Sequence, residues 1–355
     1  MSVPTLDGIT AKQIETSRLS TRVLMSGAED AIPVVFVHGN VSSATYWEEN
    51  MLALPTAYRG IAADNRGYGG ADESTLIDAT RGCKDWSDDL AALLDTLDIE
   101  SAHFVGHSLG GSILWQFMMD YPARVRTITQ VAPGSPYGFG GTKGTNGDMC
   151  FADSAGSGGG IVSPDFAKAV ANNDRSSDGQ SSPRVVMNAF YWKPPFVPAR
   201  IEDLLSSSLS IHTGENQYPG DATPSENWPM VAPGKWGPNN ALAPLYAGDV
   251  SQLNTIDPKP PVLWIRGADD QIVSDTSLFE LGTLGAMGAV PGWPGEDIFP
   301  AQPMVSQTRT VLEAYTENGG EYQEVVMDDT AHSPYIEKPD AFNQHLHQHI
   351  QQFDA

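Results

Sequence analysis

The sequence predicts an α/β fold: a mostly parallel central sheet flanked by helices and interrupted by a large inserted cap. Three observations carry that expectation. Short apolar runs, several ending in glycine, alternate with helical segments over the first 133 residues, which argues for a parallel sheet covered on both faces. The alternation then stops, and residues 134–250 become rich in glycine, proline and aromatics. It resumes at about residue 251 and runs to the end of the chain. The expected organisation is one core domain, 1–133 plus 251–355, with a cap/lid insertion at 134–250.

In chain order, residues 14–19 and 21–25 read as a strand hairpin. "PVVFVHG" gives a buried strand at 34–37 that ends in glycine. A helical segment follows at about 46–54. "RGIAADNRG" is a second core strand, closed by the turn signal of Arg66, Gly67 and Gly69. In "DWSDDLAALLDTLDI", Trp86, Leu90, Leu93, Leu94 and Leu97 share one helical face. "AHFVG" is a third strand, "SILWQFMMDYP" an apolar helix stopped before Pro122, and "VRTITQVA" a fourth strand. Within the insertion only "PDFAKAVAN" and "SPRVVMNAF" read as helical. Beyond it come a strand at 262–266, the helix "SQTRTVLEAYTENGG", the strand "YQEVVMDD" and a closing helix. That last helix lines up Phe342, Leu346, Ile350 and Phe353. His345, His347 and His349 are expected mostly off its apolar face, in solvent and not gathered on a metal.

Composition limits the partners. Twenty basic and 44 acidic residues leave a net charge of −24, a self-repelling surface poorly suited to nucleic acid or anionic membranes. No apolar run approaches the roughly 18 residues of a membrane span. The start of the chain lacks the basic-then-apolar pattern of a secretory signal, so a cytoplasmic location is expected. Cys83 and Cys150 are too few for a disulfide framework and belong to no CxxC pair; they read as reduced thiols, with no zinc site.

The chemistry centres on Gly106-His107-Ser108-Leu109-Gly110, a G-x-S-x-G motif between a strand and a helix. In that setting the serine occupies a sharp turn, and the flanking glycines let backbones approach closely. The Leu109 N–H, at the helix start, points to where an oxyanion would form. Set beside "VFVHGN", "DNRGYGGAD", "IRGADDQIV" and "TAHSPYIEKPDAF", the motif "GHSLGG" resembles the α/β-hydrolase superfamily in order and spacing, over most of the chain outside the insertion. The resemblance implies an α/β-hydrolase fold and a serine nucleophile, Ser108. The base is expected at His332, after the last strand, and the acid at Asp270, with its neighbour Asp269 as the alternative. It further implies a second oxyanion donor in the backbone N–H of Asn40, or of Val41, and structural roles for His38, Asp64 and Arg66.

A serine at position 108 departs from the aspartate of haloalkane dehalogenases and epoxide hydrolases. "GHSLGG" likewise departs from the "GGSWG" of proline iminopeptidases. The expected reaction is hydrolysis of a carboxylic ester or lactone through an acyl-enzyme, with no cofactor. A peptidase, a thioesterase, a carbon–carbon bond hydrolase and a ligand receptor of the same fold are the alternatives. Phe190, Tyr191, Trp192, Phe196, Trp228 and Trp236 would suit an apolar or aromatic small-molecule substrate, or would simply form the cap's own core. Val41, His107 and Trp192 are the candidate substrate contacts. His212, in the insertion, has no assigned place.

Overall fold

Along the central strands, neighbouring side chains part to opposite faces of one sheet. The computed structural model describes residues 3–354. Six strands precede the insertion: β1 (Thr10–Glu15), β2 (Ser20–Ser26), β3 (Ile32–Val37), β4 (Tyr58–Ala63), β5 (Ala102–His107) and β6 (Val125–Val131). Two small hairpins lie within it, β7 (Thr142–Lys143) with β8 (Asp148–Met149), and β9 (Ala222–Pro224) with β10 (Val231–Pro233). The last two strands are β11 (Val262–Gly267) and β12 (Tyr322–Met327). The large sheet runs β1-β2-β4-β3-β5-β6-β11-β12. It is parallel from β4 to β12, and β2 pairs antiparallel with both β1 and β4.

Val35, Val37, Phe104, Ile128, Val262 and Trp264 face the helices Lys84–Thr96, Leu109–Asp120 and Met304–Glu317. Their neighbours Val34, Phe36, Val105, Val131, Leu263 and Ile265 pack toward Trp47, Met51 and the helix Pro339–Gln352. This period-2 division is why these strands read as unbroken apolar runs.

Three expectations shift. The first strand begins at Thr10, not residue 14, and residues 16–19 form the turn. There the Thr16 hydroxyl accepts from the Arg18 and Leu19 N–H groups, giving the backbone a local alternative to the ladder. On the last helix His349 is buried against Phe353, with ring centroids 5.5 Å apart. It stands seven residues after Phe342, on the apolar face, and burial first, then nearby His103, pushes its imidazole down to about 4. Within residues 134–250, Pro164–Ala171 and Pro183–Val186 are helical as expected, the latter continuing as a π turn through Tyr191. A further helix, Ile201–Ser208, was not anticipated. It docks on the segment after β3: Ser207 meets Ser43, Ser208 Oγ lies 2.7 Å from Tyr46 Oη, and Arg200 Nη2 lies 2.6 Å from the buried Glu48 carboxylate. Among the described residues both cysteines are free, and no helix is long and apolar enough to cross a membrane.

Candidate active site

Ser108 separates β5 from the helix Leu109–Asp120 and sits at φ 54°, ψ −115°, a region that ordinary residues avoid. Close packing enforces the turn. A Cβ on Gly106 would lie 2.6 Å from Gly110 O, and one on Gly110 would lie 2.2 Å from Val37 O. The helix therefore rests directly on the backbones of β5 and β3. The Ser108 N–H donates to Val131 O (3.0 Å), and its carbonyl accepts from Ser112 N (3.1 Å). Its side chain is only partly buried, whereas its neighbours are enclosed.

The carboxylate and the histidine come from loops after β11 and β12, and these loops touch backbone to backbone. A Cβ on Gly267 would lie 2.0 Å from Ala331 O, and Asp269 N donates to Thr330 O at 2.9 Å. Asp270 Oδ1 accepts from Ile272 N (2.8 Å) and Val273 N (3.0 Å), which turns Oδ2 toward His332 Nδ1 at 2.8 Å. Both side chains are almost fully enclosed. Asp269, the alternative acid, points elsewhere: its carboxylate is 2.8 Å from Lys193 Nζ. Gly267→Ala is expected to force these loops apart, costing about 3 kcal/mol and lowering reactivity at Ser108 together with Tm. A wild-type melting curve would contradict the close approach.

With its Nδ1 proton given to Asp270, His332 presents Nε2 as the free basic nitrogen. His107, immediately before Ser108, donates its Nε2–H to the His332 carbonyl at 2.8 Å, so the serine and histidine segments are linked. A carbonyl only accepts, so His107 carries its proton on Nε2 and turns Nδ1 toward Tyr335 Oη, 3.4 Å away. Burial, and then the neighbouring His332, hold the His107 imidazole well below its usual range, so it stays neutral. His107 is thus enclosed behind His332.

The loop after β3 passes beside the serine: a Cβ on Gly39 would lie 3.2 Å from Ser108 Cβ. Val41, at φ 47°, gives its N–H to Asn40 Oδ1 at 3.0 Å. Asn40 Oδ1 also accepts from Tyr68 Oη (2.8 Å), and its amide nitrogen reaches Asn239 Oδ1 (3.3 Å). Among the described residues neither the Asn40 N–H nor the Leu109 N–H has a hydrogen-bond partner, the latter lying in the open first turn of its helix. His38 Nε2 accepts from Asn65 N at 2.9 Å, which places its proton on Nδ1, toward Gly39 O. Burial lowers this imidazole to about 4. Asp64 accepts from Ala44 N and Gly70 N, and Arg66 makes a bidentate pair with Asp89, both bonds 2.7 Å. These three residues tie loops together.

Trp192 is fully buried in the second core cluster, its indole N–H on Asn188 Oδ1 (3.1 Å). Phe190 meets Phe279 edge-on at 5.0 Å, and Trp228 meets Phe299 in the same way. Insertion aromatics thus pack on the segment that follows the acid loop, while Phe190 and Phe196 keep partial exposure. His212 is buried; its N–H donates to Gly67 O and its Nε2 lies 3.2 Å from Gly69 O. Sequence reasoning missed Lys193, Tyr335 and Glu337. The last two stand within five residues of His332, which was the available signal.

A family model described as alpha/beta hydrolase fold matches residues 32–283. A Bacillus subtilis protein named "uncharacterized carboxylesterase nap" is 33% identical over 124 residues, 35% of this chain and 41% of that protein. "Epoxide hydrolase A" of Mycobacterium tuberculosis is 31% identical over 124 residues, 35% of this chain and 38% of that protein. The chain thus spans about two-fifths of the length of these relatives. Among solved structures, a "putative aryl esterase" from Burkholderia cenocepacia superposes with a TM-score of 0.60 at 16% identity, covering 97% of this chain and 98% of that one.

Proposed function

The chain belongs to the alpha/beta hydrolase fold family, and from that premise we propose that it hydrolyses a carboxylic ester or lactone through Ser108, His332 and Asp270. The observation that carries the reading is the 2.8 Å contact between His332 Nδ1 and Asp270 Oδ2, set beside the Ser108 turn. His332 Nε2 takes the Ser108 proton as Oγ attacks the acyl carbon. The Asn40 and Leu109 N–H groups receive the negative charge on the tetrahedral oxygen. The alkoxide leaves with the proton from His332, and a water deprotonated by the same nitrogen releases the acid. Asp270 keeps the tautomer and stabilises the imidazolium.

Names among the relatives include both carboxylesterase and epoxide hydrolase. Chemistry at position 108 favours the former. Serine attack on an epoxide would leave an alkyl ether, which has no carbonyl for water to attack, so the enzyme would stall after one turnover. Residues 134–250 serve as the cap in this reading, and the partly exposed Phe190 and Phe196 support an apolar or aromatic substrate group.

The test is labelling with a fluorophosphonate, followed by turnover of p-nitrophenyl acetate, p-nitrophenyl butyrate and a series of lactones. Labelling at Ser108 with turnover is the expected result. An unlabelled Ser108 sinks the reading, and labelling without turnover turns it toward a ligand receptor.

A further inference from the structure

We infer that Lys193 is a positioning residue: through it the 134–250 segment holds the Asp270 and His332 loops together and sets the charge around the histidine. The inference rests on the triad reading given above. Lys193 makes three polar contacts to the segments carrying that pair. Its ammonium lies 2.8 Å from Asp269 Oδ2 and 2.8 Å from Asp329 Oδ1. Its backbone N–H donates to Glu337 Oε2 at 2.8 Å, and Glu337 Oε1 accepts from Ala331 N at 2.7 Å. Asp269 adjoins Asp270, Ala331 adjoins His332, and Asp329 begins the histidine turn at φ 54°. One side chain thus clamps both ends of the contact at which Gly267 meets Ala331.

An exposed ion pair contributes only ~0–1 kcal/mol to stability, so Lys193 is a poor device for holding the fold. Its value lies in where it puts charge. The groups around His332 are Asp270 in direct contact, neutral His107 and Tyr335 behind, and Glu337 across Ala331. Asp269 and Asp329 share Lys193, and the Lys338 ammonium lies on Asp328 O. Removing the Lys193 charge leaves two neighbouring carboxylates without their shared cation. A positive charge on His332 then meets more negative surroundings than in the wild type. Removing the Asp329 charge acts in the opposite direction.

The experiment is kcat and KM against pH on p-nitrophenyl butyrate for wild type, Lys193→Met, Lys193→Arg and Asp329→Asn. Asparagine tolerates a positive φ, so Asp329→Asn keeps its turn. Lys193→Met is expected to move the acid limb up by about half a pH unit and to lower kcat at pH 7 by no more than about three-fold, with KM within two-fold. Asp329→Asn should move the limb down, and Lys193→Arg should stay near wild type. Unmoved limbs in both charge variants overturn the inference, as does a rise in KM at constant kcat, which would make Lys193 a substrate contact. A wild-type enzyme that fails to label at Ser108 sinks the triad reading instead, so the two failures are distinct.

Discussion

Ser108→Ala is expected to abolish ester turnover, with kcat falling by about 10⁴- to 10⁶-fold, the range seen when a serine nucleophile is removed. KM and Tm should stay close to wild type. The side chain that is lost makes little packing contribution, because Ser108 is only partly buried and its backbone bonds to Val131, Ser112 and Gly134 do not involve the hydroxyl. Ser108→Gly distinguishes chemistry from strain. At φ 54°, ψ −115° a Cβ costs on the order of 1–3 kcal/mol, partly offset by the greater freedom of glycine in the unfolded chain. The glycine variant should therefore be as dead as the alanine variant but melt about 2 °C higher. Residual turnover by Ser108→Ala above a few parts in 10⁴ of wild type would mean that another group attacks. A glycine variant less stable than the alanine variant would mean that the turn is unstrained.

That experiment addresses the part of the molecule most legible in the sequence. The serine turn declares itself locally, because a Cβ at 106 or 110 would run into Gly110 O or Val37 O, and both residues lie within two positions of Ser108. The strand–helix alternation is equally local, since the central strands β3, β5 and β11 put apolar residues on both faces. Adjacent carboxylates are harder. Asp269 and Asp270 have the same chemistry, and only the exit of the chain from β11 sends one to the His332 imidazole and the other to Lys193. Lys193 was invisible because its partners Asp269, Asp329 and Glu337 all lie beyond residue 250, 76 or more positions along the chain. His107 looked like a residue facing substrate because the pattern leaves its position free. Its hydrogen bond to the His332 carbonyl, 225 residues on, turns it inward. His349 was misplaced for a local reason: three histidines at alternate positions suggest a polar stripe, but the seventh residue after Phe342 returns to the buried face.

Asp270→Asn should cost nearly as much as losing the serine, for a reason that lies in two backbone amides. Oδ1 of residue 270 accepts from Ile272 N and Val273 N, and Oδ2 accepts from His332 Nδ1. An asparagine must keep its oxygen toward the two N–H donors, because turning its NH₂ to them would leave buried donors unpaired at ~1–3 kcal/mol each. The NH₂ group then faces His332 Nδ1, which can answer only with a lone pair. The imidazole proton moves to Nε2, and the atom that should take the Ser108 proton becomes a donor. The expected loss is about 10⁴-fold in kcat with KM little changed, as for the equivalent substitution in other serine triads. The melting temperature should change modestly, since the side chain keeps its shape and its two backbone bonds. Asp269→Asn is the matched control: it alters a carboxylate one residue away that serves Lys193, and it should cost at most a few-fold. Steady-state kinetics of the two variants on one ester decide the matter, and an Asp269→Asn loss as large as that of Asp270→Asn would move the acid's role to the neighbour.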